Sequence, residues 1–166
     1  MRRFRRKRMP IQFIAGDLFV NRLGAEAFAH GCNCQGSMGA GIATGFSNRY
    51  PEMYFEDQSR CKSRPRLFNP GDVFFWRSTG QQSVFNLATQ EHYRGRQPAS
   101  IPAVRQSLVR MREIADIENI KSIAMPRIGA GLGGLDWNDV KSVIHDIFYE
   151  WDGRLIVYED FAQDPL

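Results

Sequence analysis

The sequence predicts an α/β protein whose mixed, mostly parallel sheet is covered by helices on both faces. Three observations predict this class. Short apolar segments alternate with helical ones, which is typical of parallel sheets buried on both sides. One pair of apolar segments is joined by Ser-Thr-Gly-Gln-Gln at 78–82, a plausible hairpin connection, so part of the sheet is antiparallel. The chain has 166 residues, 43% of them hydrophobic, which is enough for one domain with a single core.

The first half of the chain contains two strands and two helices before a loop. The predicted elements are strands at Ile11–Ala15 and Ala25–Asn33, helices at Ile42–Tyr50 and Glu52–Lys62, and a loop at Arg64–Gly71. Pro51 separates the two helices, because proline disfavours helical conformation at the residue before it.

The second half supplies the hairpin and two further strand–helix units. The predicted elements are strands at Asp72–Arg77, Ser83–Thr89, Lys121–Ile128 and Arg154–Glu159, with helices after Ser100 and after Asp136, which can act as N-caps. The first of these helices repeats apolar residues every three or four positions, at Val104, Leu108, Met111, Ile114 and Ile117. The second carries one apolar stripe formed by Val140, Val143, Ile144, Ile147, Phe148 and Trp151.

Two glycine-rich loops follow predicted strands and open predicted helices. Residues 36–43 read Gly-Ser-Met-Gly-Ala-Gly-Ile-Ala, and residues 129–136 read Gly-Ala-Gly-Leu-Gly-Gly-Leu-Asp. Such loops let backbone N–H groups surround an anion, and a helix N-terminus adds a partial positive charge. We therefore expect one pocket that holds a diphosphate from both sides. The segment Thr89–Arg94 joins it, because ligands bind where loops leave the carboxyl ends of strands.

Several common nucleotide and hydrolase chemistries are disfavoured by the same loops. Neither is followed by the Gly-Lys-Ser/Thr of a P-loop. Residues 129–134 match the Gly-x-Gly-x-x-Gly dinucleotide fingerprint, but only one predicted strand follows, whereas that fingerprint belongs to a first strand–helix unit. Gly36-Ser-Met-Gly39 is not the nucleophile elbow of a serine hydrolase.

The positive charge of the chain lies in its first residues. Residues 1–8 hold six of the 22 Lys and Arg, so 16 cations remain against 18 acids. We expect residues 1–10 to be a basic, flexible tail that is solvated or contacts nucleic acid weakly, 11–160 to be the domain, and 161–166 to be a C-terminal tail. The absence of long apolar runs and the odd count of three cysteines predict a cytoplasmic protein with no membrane partner, and we expect a monomer.

Four polar side chains near the loops each have a functional and a structural interpretation. Asp17 can accept a hydrogen bond from an adenine amino group or cap a turn. Asn33 can bind a sugar hydroxyl or satisfy turn backbone. Asp136 can influence water beside a ribose or cap its helix. His92 can act as an acid or base or be a surface histidine.

A metal site is disfavoured. His30, Cys32 and Cys34 alternate and would share one face of a strand. Zinc needs four ligands, or three and a water, and a second Cys/His cluster is missing from the sequence. A buried strand face is the simpler interpretation, and we expect no metal and no cofactor.

Three stretches together resemble the macrodomain family, which binds ADP-ribose. They are Gly-Asp-Leu-Phe at 16–19, the stretch Asn33–Ala43, and the stretch Met125–Trp137. The Met-Gly-x-Gly-Ile-Ala and Pro-Arg-Ile-Gly-x-Gly runs look most like the branch that contains terminal ADP-ribose protein glycohydrolase. The Gly-Gly-Leu-Asp-Trp run also looks like the macrodomain antitoxin that removes ADP-ribose from DNA. The resemblance extends from Ile11 to Tyr158.

The resemblance implies a three-layer α/β/α sandwich and, as partner, ADP-ribose or ADP-ribosylated protein or nucleic acid. It places Asp17 on adenine, the two loops around the diphosphate, and Asn33 with Gln90 at the distal ribose. The expected catalytic residues are Asn33, Gln90 and Asp136. The expected ligand-binding residues are Asp17, Leu18, Asn33, Gly36, Ser37, Met38, Gly39, Ala40, Gly41, Ile42, Thr89, Pro126, Ile128, Gly129, Ala130, Gly131, Leu132, Gly133 and Gly134.

The chain departs from that branch at two positions. Gln90 stands where the branch has a lysine nucleophile, and Gly133 where the glycohydrolase has its catalytic aspartate. A neutral amide cannot form a Schiff base. We therefore expect hydrolysis in which the substrate's own diphosphate orients a water. An ADP-ribose reader without activity and an ADP-ribose 1″-phosphate phosphatase are the alternatives.

Overall fold

A computed structural model describes residues 9–163. The basic run at 1–8 and residues 164–166 lie outside the described residues, so the predictions for those parts of the two tails are not tested. The described residues form six strands and four α-helices. These are β1 (Ile11–Ala15), β2 (Ala27–Asn33), α1 (Ile42–Arg49), α2 (Pro51–Lys62), β3 (Val73–Trp76), β4 (Ser83–Gln90), α3 (Ile101–Ile117), β5 (Ser122–Pro126), α4 (Trp137–Phe148) and β6 (Arg154–Asp160). A 3₁₀ turn at Leu18–Val20 follows β1.

The six strands form one sheet in the order β1-β6-β5-β2-β4-β3. All neighbouring pairs are parallel except β3 and β4, which form the predicted antiparallel hairpin. The mixed, mostly parallel sheet is confirmed.

Helices cover both faces of this sheet, and successive strand residues point to opposite sides. On β2, Ala27 and Ala29 pack into the core under α3 and α4, whereas Phe28 packs into the core under α1 and α2. The same alternation holds on β6, where Leu155 belongs to the first core and Ile156 to the second. The three-layer α/β/α architecture is confirmed.

Three predicted strands are shorter in the structure, and one of them, β3, loses a single residue at each end of the predicted Asp72–Arg77. β2 begins at Ala27 rather than Ala25, because the backbone N–H of Ala25 donates to the Asn21 side chain in a turn (2.9 Å). β5 ends at Pro126 rather than Ile128, since the N–H of Ile128 bonds back to the Pro126 carbonyl (2.9 Å).

The N-caps of α3 and α4 agree with the prediction, whereas one residue of the predicted apolar face of α3 does not. Ser100 caps α3 by accepting from Ala103 N (3.3 Å), and Asp136 caps α4 by accepting from Asn138 N (2.7 Å). The assignment of Ile117 to the apolar face of α3 is wrong, because it is 81% exposed at the end of the helix. Ala115 occupies the buried position instead, four residues after Met111.

The arrangement of the central strands opens a space at one edge of the sheet. β2 and β5 pair only at Ala27–Ile123 and Phe28–Ala124, near their amino ends. Their carboxyl ends lead into the two glycine-rich loops. In residues 9–163, no helix is both long and apolar enough to span a membrane.

A cleft between two glycine-rich loops

The two loops flank one cleft of about 1070 Å³ at the carboxyl edge of the parallel strands. Residues following β1, β2, β4, β5 and β6 contribute to its lining. The loops approach each other at its mouth, where a Cβ added to Gly41 would lie 3.4 Å from Leu132 Cδ1. The structure thus brings together two segments about ninety residues apart in sequence, as predicted.

Most of the predicted ligand-binding residues line the cleft. They are Asp17, Leu18, Asn33, Ser37, Met38, Gly39, Ala40, Gly41, Ile42, Thr89, Pro126, Ile128, Gly129, Gly131, Leu132 and Gly133. Gln90 lines it as well. Gly36, Ala130 and Gly134 lie outside the lining.

Glycine is needed at different positions of the two loops for different structural reasons. Gly36 has φ +74°, and a Cβ there would lie 3.1 Å from the Cα of Gln58, so it lets the first loop pack on α2. Gly134 has φ +76°, and a Cβ there would overlap the Arg96 carbonyl oxygen. Gly39 and Gly131 have no atom within 4 Å of an added Cβ and line the cleft. Their backbone is accessible to a ligand.

Asp17 caps a turn and also lines the cleft. Its Oδ1 accepts from the N–H of Phe19 (2.9 Å) and caps the 3₁₀ turn, while the residue also lines the cleft. The turn is fixed by Phe19, whose ring lies against α1 at a centroid distance of 4.9 Å from Phe46. The Arg49 guanidinium lies 4.0 Å from the Phe19 ring centroid and also lines the cleft.

The Asn33 side chain holds the first loop in shape. Its Oδ1 accepts from the N–H groups of Gln35 (3.0 Å) and Ser37 (3.3 Å), and its Nδ2 donates to the Ser37 carbonyl (2.8 Å). The structural interpretation is therefore confirmed. Because an amide NH₂ has two hydrogens, the bond to Ser37 leaves one for a ligand in the cleft.

Gln90, at the end of β4, and the residues that follow it connect the cleft to Gln35, directly before the first loop. Gln90 pairs in register with Asn33 and donates through Nε2 to the His92 carbonyl (2.6 Å). His92 is exposed, and its Nδ1 accepts from Gln35 Nε2 (2.5 Å). Tyr93 lines the cleft but His92 does not, so the surface interpretation of His92 agrees with its position.

Asp136 serves as the N-cap of α4 and is not among the residues lining the cleft. The geometry supports its capping role and gives no support to the catalytic one.

His30, Cys32 and Cys34 are buried beside the cleft floor. The His30 ring stacks on Phe46 at 4.0 Å, and its Nε2 bonds to Asn86 Oδ1 at 2.7 Å. Burial lowers the pKa of His30 to about 4 and raises the pKa of the Cys34 thiol to about 12. Among residues 9–163, no group of three or more His, Cys, Asp or Glu could hold a metal ion.

Sequence reasoning missed the contribution of β6 to the cleft. The missed lining residues include Tyr158, Glu159, Asp160 and Phe161, together with Arg49 and Arg127, whereas Tyr93 lies in the predicted segment Thr89–Arg94. Backbone bonds from Gly16 N to Asp160 O (2.9 Å) and from Ala162 N to Gly16 O (3.3 Å) hold the chain around Phe161 against Gly16, and both Phe161 and Asp17 line the cleft. The sequence predicts Phe161 to lie in the C-terminal tail. The carboxyl end of a buried parallel strand was the available signal.

This fold and cleft define a three-layer α/β/α protein with one cleft between two glycine-rich loops, and comparison with known families gives its class. Residues 29–144 match the Macro domain family model, and the chain belongs to this family.

Individual relatives are similar along most of the chain. The DNA ADP-ribosyl glycohydrolase of Mycobacterium tuberculosis is 34% identical over 148 residues, covering 84% of this chain but 39% of that protein. The ADP-ribose 1″-phosphate phosphatase of Candida albicans is 27% identical over 146 residues, covering 82% of this chain and 92% of the relative. The solved macrodomain of Mycobacterium tuberculosis DarG superposes with a TM-score of 0.79 at 33% identity, covering 89% of this chain and 96% of that one.

Proposed function

We propose that the cleft binds ADP-ribose and that the protein hydrolyses the bond joining the distal ribose to a modified macromolecule. The observation that carries the proposal is the convergence of both glycine-rich loops on one cleft, with Asp17 and Gln90 in the same lining. Membership of the Macro domain family and similarity to a DNA ADP-ribosyl glycohydrolase support it.

The sheet order supports one direction for the bound ligand. The cleft runs from β1 and β6, across β5 and β2, to β4. Adenine would lie at the first end, between the Phe161 ring and the Asp17 carboxylate, whose Oδ2 would accept from the amino group. The diphosphate would lie between Gly39 and Gly131. The distal ribose would then reach Gln90, at the end of β4.

The chemistry this arrangement supports is attack of water on C1″ of the distal ribose. The water oxygen forms the new bond to C1″, the bond to the modified group breaks, and the departing group keeps the electron pair and takes the proton. Positive charge develops at C1″, where the adjacent diphosphate stabilises it. Asn33 positions the first loop, and Gln90 contacts the ribose. Gln90 carries no charge, so it orients the sugar without forming a covalent bond.

Calorimetry with ADP-ribose tests the binding part of the proposal. Turnover is then measured on an ADP-ribosylated oligonucleotide, an ADP-ribosylated peptide and ADP-ribose 1″-phosphate. Binding with release from the oligonucleotide or peptide supports hydrolysis from a macromolecule. Release of phosphate alone supports the phosphatase, which the Candida albicans relative favours. Binding without any turnover supports a reader, and no binding overturns the proposal.

The proposal includes a cytoplasmic location and a monomeric state. Cys32, Cys34 and Cys61 are free and buried, which fits a reducing compartment. Light scattering after size exclusion should give a mass near 19.0 kDa.

A further inference from the structure

We propose that residues 60–66 and 91–96 form a basic rim that binds the nucleic-acid strand carrying the ADP-ribose. The inference rests on the proposed function, because it assigns the macromolecule and the surface that holds it. Three observations carry it: the local charge, the position of the rim beside the ribose end of the cleft, and its exposed aromatic and cationic side chains.

The rim concentrates positive charge on a domain that is otherwise negative. Residues 9–166 hold 16 cations and 18 acids. The two rim segments contain six of those cations and one of those acids, Glu91. A cluster of cations on a domain whose remaining charge is negative is typical of a surface that binds the phosphate backbone of a nucleic acid.

Side-chain hydrogen bonds join the two rim segments to each other and connect them to the start of the first loop. Arg66 and Glu91 form a bidentate pair between the two segments, with Nη2 to Oε2 at 2.7 Å. Gln58, just before the first segment, donates to the carbonyl of Gly36 in the first loop (3.2 Å). Gln35, directly before that loop, donates to His92 in the second segment (2.5 Å). The rim therefore adjoins the end of the cleft that Gln90 and Tyr93 line.

A macromolecule attached to the distal ribose must leave the cleft over this rim. Adenine lies at the far end in the proposed binding mode, and the sheet order places β4 next to β2 on the ribose side. The first residues met beyond the ribose are those that follow Gln90.

The exposed side chains of the rim suit a single strand. Lys62, Arg64, Arg94 and Arg96 are exposed, and the Arg94 guanidinium lies 5.2 Å from the ring centroid of Tyr93. Tyr93 is 46% exposed and lines the cleft. Proteins hold single strands by stacking bases on aromatic rings while cations follow the backbone.

The test measures binding of an unmodified, fluorescently labelled single-stranded DNA oligonucleotide to the full chain at several salt concentrations. The variants are Lys62→Gln and Arg94→Gln. Lys121→Gln is the charge-matched control, because Lys121 is exposed and precedes β5 at the sheet edge opposite the cleft. Every variant keeps residues 1–8, so any contribution of that segment is common to all.

Each rim variant should weaken oligonucleotide binding and lower the slope of log K against log salt by about 0.7, the value for one phosphate contact on a single strand. Lys121→Gln should change neither. ADP-ribose affinity should stay equal to that of the unaltered protein. The KM for an ADP-ribosylated oligonucleotide should rise in Arg94→Gln, with the KM for an ADP-ribosylated peptide unchanged.

The opposite outcomes overturn the inference. The inference about the rim is wrong if the rim variants bind the oligonucleotide as tightly as Lys121→Gln does. ADP-ribose binding would be intact in that case, so the proposed function would stand. An equal or greater rise in KM for the peptide would make the rim a protein-binding surface and also overturn it. Failure of the unaltered chain to bind ADP-ribose would overturn the proposed function itself, so the two failures are distinguishable.

Discussion

The carboxylate of Asp17 caps a turn and, in the proposed binding mode, also accepts a hydrogen bond from adenine. Oδ1 accepts from the Phe19 N–H and starts the 3₁₀ turn, while the residue also lines the cleft, as does Phe161. A neutral side-chain oxygen is enough to cap a helix or turn. A hydrogen bond from the adenine amino group is stronger when the acceptor is an ionised carboxylate. The two tasks can therefore be separated by a single substitution.

Asp17→Asn should keep the turn and lose ADP-ribose affinity by about ten- to a hundred-fold. Asparagine caps as well as aspartate, so the thermal midpoint should stay close to that of the unaltered protein. The affinity change corresponds to one charge-assisted hydrogen bond, about 1.5–3 kcal/mol. Calorimetry measures it, and Glu113→Gln, an exposed carboxylate on α3, is the control. Equal affinities in the two variants would show that Asp17 is only a cap.

Single residues reveal where sequence reasoning stops. The caps at Ser100 and Asp136 could be predicted, because an N-cap bond spans two or three residues and the sequence pattern contains both partners. Asn33 could not be resolved in the same way. Its three bonds to the first loop depend on a loop conformation that residue types alone do not specify.

At the scale of the loop, glycine has two separate uses. Some glycines permit a positive φ or a close approach of two chain segments, as at Gly134 beside Arg96. Others leave open space over backbone amides, as at Gly131. The sequence presents both as the same letter in the same motif.

Gly131→Ala and Gly134→Ala form a matched pair within one loop. At Gly131 the added methyl meets no atom within 4 Å, so stability should be unchanged while ADP-ribose affinity falls, because the methyl projects where the diphosphate would lie. At Gly134 the methyl overlaps the Arg96 carbonyl at φ +76°, so the thermal midpoint should drop by several degrees. Thermal melts and calorimetry measure both effects. Unchanged ADP-ribose affinity in Gly131→Ala would contradict the proposed position of the diphosphate.

Whole elements were predicted well because their patterns are local. β1 has the predicted bounds, and the β3–β4 hairpin pairs as expected. The position of β6 between β1 and β5 was not predicted. Strand order depends on contacts between distant segments, and periodicity carries no information about them. That is why Phe161 and its neighbours were missing from the predicted site.

At the scale of the whole molecule, two buried ionisable groups, Asp57 and His30, have opposite effects on how stability depends on pH. Burial raises the pKa of Asp57 from 3.8 to about 7, although nearby Arg60 acts in the other direction. Neither Asp57 oxygen has a hydrogen-bond partner among the described residues. Burial lowers the pKa of His30 from 6.5 to about 4, against the effect of its bond to Asn86. Between about pH 4 and pH 7, Asp57 is protonated in the folded state and His30 is not. Their contributions to the pH dependence of the free energy of unfolding therefore have opposite signs.

Between pH 4 and 6.5 these contributions should nearly cancel. Asp57 binds more proton in the folded state, so its contribution to stability falls as pH rises through this range; His30 binds more in the unfolded state, so its contribution rises. Asp57→Asn should therefore make the free energy of unfolding rise with pH more steeply than in the unaltered protein. His30→Gln should lower the slope of the free energy of unfolding against pH relative to the unaltered protein. Each slope should differ from that of the unaltered protein by up to about 1.4 kcal/mol per pH unit.

Urea unfolding at pH 4.5, 5.5 and 6.5 measures these slopes. The pKa values of Glu91 and Glu159 are lowered by hydrogen bonds from Arg66 and from Lys141, respectively, but both carboxylates are present in every variant, so their contributions cancel in the comparison. The double variant should return to the slope of the unaltered protein, because both opposing groups are gone. Parallel profiles for all four proteins would mean that neither buried group changes its protonation on unfolding in this range, and the opposition between Asp57 and His30 would be wrong.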